Sequence, residues 1–110
     1  MTSHELAERV QVGLRRKQVV LGKERMIGLA KRGGVGMVWA TEDLSRHSRD
    51  KVRRVCEKHG IPLHCKGESA VIGAVTGEPN AKVYILKKSF SGLGTILRHL
   101  ADSDVDQNRN

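Results

Sequence analysis

Apolar and polar positions along this chain alternate between the helical period and short β-type runs. Over residues 4–17, Leu6, Ala7, Val10 and Leu14 recur on one helical face, and Ser3 is placed as the N-cap. Residues 18–21 form a short β-branched run broken by Gly22. Residues 23–32 then carry Met26, Ile27, Leu29 and Ala30 on one side and close at Gly33 and Gly34, which predicts a second helix. Val35–Ala40 is almost unbroken apolar sequence of strand length, the mark of a central strand covered on both faces.

The second half repeats the alternation. Ser45 or Ser48 can cap a helix with Val52, Val55 and Cys56 as its buried stripe, ending near His59 and Gly60. Residues 61–66, with Pro62 near the start, read as an edge or near-edge strand. A short helix over residues 70–76 stops at Gly77, and residues 82–86 alternate as a strand. Phe90, Leu93, Ile96, Leu97 and Leu100 make a closing amphipathic helix. The order αβαβαβαβα in so short a chain predicts an α/β fold, a three-layer α-β-α sandwich around a central mixed four-stranded sheet. Residues 1–102 form its single domain, and residues 103–110 a flexible acidic tail.

Charge changes the picture more than size does. The 110 residues hold 20 Lys and Arg against 12 Asp and Glu, a formal charge of +8 that points to a polyanionic partner rather than a neutral small-molecule substrate. The excess is uneven. Glu24 is the only acid between Arg9 and Arg32, a stretch with eight Lys and Arg, so a basic patch is expected. No apolar run approaches the length of a membrane span and the first residues are charged, so the expected location is the cytoplasm, with no membrane association. Cys56 and Cys65 fit reduced thiols. With only Trp39, Tyr84 and Phe90 as aromatics, recognition by stacking successive bases on an aromatic platform is poorly supported.

Several chemistries are weaker fits. Gly33, Gly34 and Gly36 precede a strand instead of joining strand to helix, and no Gly-Lys-Ser/Thr triplet exists, so a nucleotide-binding loop is not present. Cys56, His59, His64 and Cys65 suggest a metal by their proximity, but adjacent His64 and Cys65 must point to opposite faces of a strand. Asp43, Ser45 and His47 lie where helix capping accounts for them without catalysis. Neither an enzyme nor a cofactor is expected. Arg46 to Lys58 on the third helix read as a solvated face. The basic residues at the start of the second helix, Lys23 and Arg25, and at its end, Lys31 and Arg32, are better placed for phosphate oxygens.

The order of elements and several local strings resemble the kink-turn RNA-binding ribosomal protein superfamily, which includes the large-subunit proteins seven-Ae and thirty-e. The strings are VVLGKER, the helix ending KRG, VGMVWA followed by TEDLS, the helix ending CEKHGIP, and VIGAVTG before the last strand. The resemblance extends over most of the chain. The acidic Glu24, second after Gly22, and the KKSF stretch at residues 87–90 are most similar to the bacterial branch of that superfamily, whereas Gly-Lys-Glu-Arg at residues 22–25 and Gly28 depart from the signature of its best-known kink-turn binders. The resemblance implies an RNA-binding corner built from Gly22, Lys23, Glu24 and Arg25 together with the loop Glu78, Pro79 and Asn80, and Lys31 and Arg32 extend the basic surface. It implies a non-catalytic monomer that binds structured, kink-turn-like RNA in or near the ribosome. A protein-interaction or regulatory domain on the same fold is the alternative.

Overall fold

The computed structural model describes the backbone of residues 1–108 and the side chains of residues 1–100. Nine elements follow in order: α1 (Ser3–Arg15), β1 (Val19–Leu21), α2 (Lys23–Lys31), β2 (Val35–Ala40), α3 (Arg46–His59), β3 (Leu63–Cys65), α4 (Ser69–Thr76), β4 (Val83–Lys87) and α5 (Leu93–Asn108). The expected alternation and the mixed sheet are both present.

Strand order in the sheet is β1-β4-β2-β3. β4 runs antiparallel to both β1 and β2, and β3 lies parallel to β2 at the edge. The last strand is therefore inserted between the first two. Alternation along the two inner strands divides the core. Met37, Trp39, Tyr84 and Leu86 pack with α1, α4 and α5 residues such as Leu6, Val10, Ile72 and Ile96, while Val38, Ala40, Val83 and Ile85 pack with Met26, Ala30, Val52 and Cys56 of α2 and α3. One layer is α1, α4 and α5; the other is α2 and α3.

The register shifts between Val35 and Met37, a bulge at Gly36 that turns Val35 to the α2–α3 side. Gly36 is required there by close approach. A β-carbon would collide with Leu93 and stand 3.2 Å from the carbonyl oxygens of Leu86 and Lys87. Trp39 is completely buried, donates from Nε1 to the Lys66 carbonyl at 3.0 Å, and tilts against Tyr84 at 5.4 Å between ring centroids.

Two local expectations are corrected. The cap of α1 is Thr2 rather than Ser3: its Oγ1 accepts from the Glu5 N–H at 3.1 Å and donates to the Glu5 carboxylate, a capping arrangement set by the Thr-x-x-Glu spacing. Phe90 lies outside the last helix, in the turn that precedes Leu93, yet still fills the core. It packs against α1 where Gly13 has no side chain. α5 runs to Asn108, through most of the expected acidic tail of residues 103–110. The side chains of that expected tail, and residues 109 and 110 entirely, lie outside the described residues.

Candidate nucleic-acid interface

β1 ends and α2 begins at a single residue. Gly22 has φ +101°, outside the range that side-chain-bearing residues adopt comfortably; its N–H donates to the Val83 carbonyl at 3.1 Å and its carbonyl accepts from Met26 at 3.1 Å. No side chain caps α2. Its first-turn N–H groups and the positive end of its dipole are therefore exposed beside Lys23 and Arg25. By contrast, Thr2 caps α1 and Ser45 caps α3, and the Ser69 N–H at the start of α4 is taken by Asp43 Oδ1 at 2.9 Å.

The loop between α4 and β4 approaches the same corner from a distant part of the sequence. Gly77 ends α4 in the left-handed conformation, and the Glu78 N–H donates to Thr76 Oγ1 at 3.3 Å. The Thr76 hydroxyl in turn meets the Tyr84 hydroxyl at 2.9 Å in the core. Burial pushes the Tyr84 phenol up, against the opposing hydrogen bond from Thr76. Loop and sheet are thus joined through one buried hydroxyl pair.

Between the two parts lies a cleft of about 430 Å³, with Leu21, Leu44, Ala81 and Val83 as apolar lining and Gly22, Lys23, Glu78, Pro79, Asn80 and Lys82 as the rest of its wall. Five residues expected at the interface are therefore brought together. Glu24 and Arg25 are exposed on the first turn of α2 but do not line the cleft. Lys31 and Arg32 stand at the far end of α2, roughly 12 Å along a helix axis of this length. The arginine reaches back: its Nη2 lies 4.0 Å from where a β-carbon on Gly28 would be. Lys23 is not fully free, since its Nζ donates to Ser48 Oγ on α3 at 3.2 Å.

Sequence reading did not identify Ser48, Thr76, Leu44 or Lys82 as parts of this region. Ser48 and Leu44 meet it only through the packing of α2 against α3. The same holds for Gly73, in the middle of α4, where a β-carbon would stand 2.8 Å from both the Glu78 carbonyl oxygen and the Pro79 Cα. A glycine inside an apolar helix is the one available signal of such close approach.

Other candidates resolve into structural roles. Glu42 Oε2 accepts from the Gly67 N–H at 2.9 Å, and Asp43 accepts from both the N–H and the hydroxyl of Ser69. Those Ser69 hydrogen bonds hold the Asp43 carboxyl well below the usual carboxylate range. The cleft beside it is lined by Glu42, Asp43, Glu68, Ser69 and Ala70, without Ser45 or His47. Cys56 and Cys65 belong to the α2–α3 core, whereas the His64 ring packs by Trp39 with 6.4 Å between centroids. Burial pushes the Cys56 thiol up to about 11. Among the described residues no group of three or more His, Cys, Asp or Glu side chains is arranged to hold a metal, and no helix is long and apolar enough to cross a membrane.

Solved structures share this architecture. A Bacillus halodurans protein of unknown function superposes with a TM-score of 0.76 at 23% identity, covering 87% of this chain and 95% of its own. The Giardia lamblia 15.5kD RNA binding protein superposes with a TM-score of 0.71 at 19% identity, covering 90% of this chain and 83% of its own. At these identities the likeness concerns the fold. No curated protein sequence is similar enough to count as a match. The profile of one family matches residues 4–93, nearly all of the sandwich, and the chain accordingly belongs to the ribosomal protein L7Ae/L30e/S12e/Gadd45 family.

Proposed function

We propose that this chain is a non-catalytic RNA-binding protein that acts as a cytoplasmic monomer on a folded, kink-turn-like RNA of the ribosome or an associated particle. The observation that carries the reading is the convergence of Gly22 and Lys23 with Glu78, Pro79 and Asn80 on one cleft beside an uncapped helix N-terminus. Family membership, and the RNA-binding description of the Giardia lamblia relative in fold, support RNA as the ligand class.

The roles follow from the chemistry of each group. Gly22 lets an RNA strand approach the backbone, and the first N–H groups of α2 donate to phosphate or base oxygens. Lys23 and Arg25 supply positive charge, while the Glu24 carboxylate accepts from exocyclic base amino groups, which only an acceptor can do. Glu78, Pro79 and Asn80 close the opposite wall and read the shape of a sharply bent strand. Lys31 and Arg32 contact phosphate farther along α2.

Gel-shift titration tests this directly. A duplex with a kink-turn should be retained more tightly than the same duplex with its sheared G·A pairs replaced by Watson–Crick pairs. Equal affinity removes the kink-turn element. Absence of any RNA retention at low salt, together with a stoichiometric protein partner that survives nuclease treatment, would establish the interaction-domain alternative instead.

A further inference from the structure

The positive charge of this protein is collected on one layer. α2 with its cap residue Arg32, together with α3, carries ten of the 20 Lys and Arg but only three of the 12 acids. The two helices lie side by side and point the same way. Lys23 meets Ser48 near their N-terminal ends, and Ala30 and Gly33 share a cleft with His59 and Gly60 at the other.

On α3 the positions 47, 51, 54 and 58 fall at successive steps of three or four, and they hold His47, Lys51, Arg54 and Lys58 without an interrupting acid. This row begins beside Ser48 and therefore runs next to the seam with α2. On α2, Gly28 presents no side chain, and Arg32 Nη2 lies 4.0 Å from where its β-carbon would be. Among the described residues the one ion pair on this layer joins Arg53 to Asp50, at 3.8 Å; Lys51, Arg54, Lys58, Arg25 and Arg32 have none. Like charges at this spacing repel along a helix. A bound polyanion would relieve that repulsion.

We infer that the α2–α3 face is a second RNA-contact surface, a track for the phosphate backbone of an A-form stem that leaves the corner along α3. It rests on the preceding reading only in that the ligand is RNA. The corner recognises local shape, whereas this face neutralises phosphates with no preference for sequence. It revises the reading of Arg46 to Lys58 as a merely solvated face.

The test uses a blunt 20-base-pair RNA duplex with no loop or mismatch, titrated between 50 and 200 mM salt, so that corner recognition does not contribute. The variant Lys51→Gln/Arg54→Gln/Lys58→Gln alters side chains outside the core. It should bind this duplex about tenfold or more weakly at low salt, and the slope of log K against log salt should fall by about two to three. Lys23→Gln/Arg25→Gln should weaken binding of the same duplex less than the triple variant does. The single reversal Arg54→Glu should act in the direction of the triple variant. Unchanged affinity and slope in the triple variant would overturn the inference, as would tighter binding of polyglutamate than of the duplex. Equal affinity of the wild type for kinked and straightened RNA would instead remove the kink-turn element of the proposed function and leave this face standing.

Discussion

Gly73 and Pro79 meet backbone to backbone: a β-carbon on Gly73 would stand 2.8 Å from the Pro79 Cα and equally close to the Glu78 carbonyl oxygen. Neither neighbour is the flexible end of a side chain, so the loop itself must shift to admit a methyl group. Gly73→Ala should cost about 1–3 kcal/mol, the usual range for overpacking, and move the Glu78–Asn80 wall away from α2. Thermal unfolding measures the first effect. RNA affinity falling more than that of a core variant of equal stability, such as Val52→Ala, measures the second.

Gly22 makes a separate backbone demand. Its φ of +101° comes with ψ of 141°, whereas Gly60 and Gly77 have ordinary left-handed geometry. Asn tolerates the left-handed region but not the Gly22 conformation. Gly60→Asn should therefore leave the melting temperature nearly unchanged, while Gly22→Asn and Gly22→Ala each destabilise by about 1–3 kcal/mol. Similar melting temperatures for Gly22→Asn and wild type would show that the β1–α2 turn can relax.

Lys23 and Arg25 should act on RNA more than on stability. Replacing both with glutamine is expected to weaken binding to a kinked RNA on the order of tenfold and to lower its salt slope by about one to two, since each phosphate contact contributes roughly one. Ser48→Ala removes the partner that holds the Lys23 ammonium and should give a smaller loss of affinity. Combined with the lysine change it should add nothing further, which a double-mutant cycle reads directly.

Acid stability should report Asp43. Its folded-state affinity for a proton is depressed below the ordinary value of 3.8 by the Ser69 hydrogen bonds, so the contribution is fully present above that pH and lost as pH falls toward the lower folded value. Asp43→Ala should cost about 1 kcal/mol at neutral pH through the lost cap of α4. The gap between variant and wild type should begin to narrow below about pH 4 and shrink steadily with further acidification. A gap that stays constant from pH 7 to pH 2 would assign the carboxylate no such role.

Thiol chemistry offers a simpler check. Cys56 is 2% exposed and its thiol is held neutral by burial. Alkylation of the folded protein at pH 8 should leave Cys56 unmodified and reach it only in denaturant.

Much of the architecture was legible because local signals agreed with packing. Val35–Ala40 is a strand buried on both faces as its unbroken apolar run predicts, and Gly60 and Gly77 stop their helices as expected. What escaped notice depends on residues far apart in sequence. Nothing local shows that Asp43 caps α4 through Ser69, that Ser48 holds Lys23, or that Gly73 lies under Pro79. Thr2 and Ser3 are both able to cap, and only the Thr2–Glu5 pair completes the box. The corner itself was readable in composition at residues 22–25. Its second wall came from resemblance, since no pattern in Glu78, Pro79 and Asn80 shows which distant turn they face.

The place of β4 between β1 and β2 also sets an order of events during synthesis. Gly22 donates to Val83, and Val19, Val20 and Leu21 pair with Leu86, Ile85 and Tyr84. A nascent chain that has made α1, β1 and α2 thus waits about fifty residues for the strand that fixes its turn, and such long-range pairing is slow to form. Until then β1 has no neighbour in the sheet. The cleft is assembled only when the last strand arrives, so a chain stopped before residue 83 would carry the basic helices without the geometry to use them.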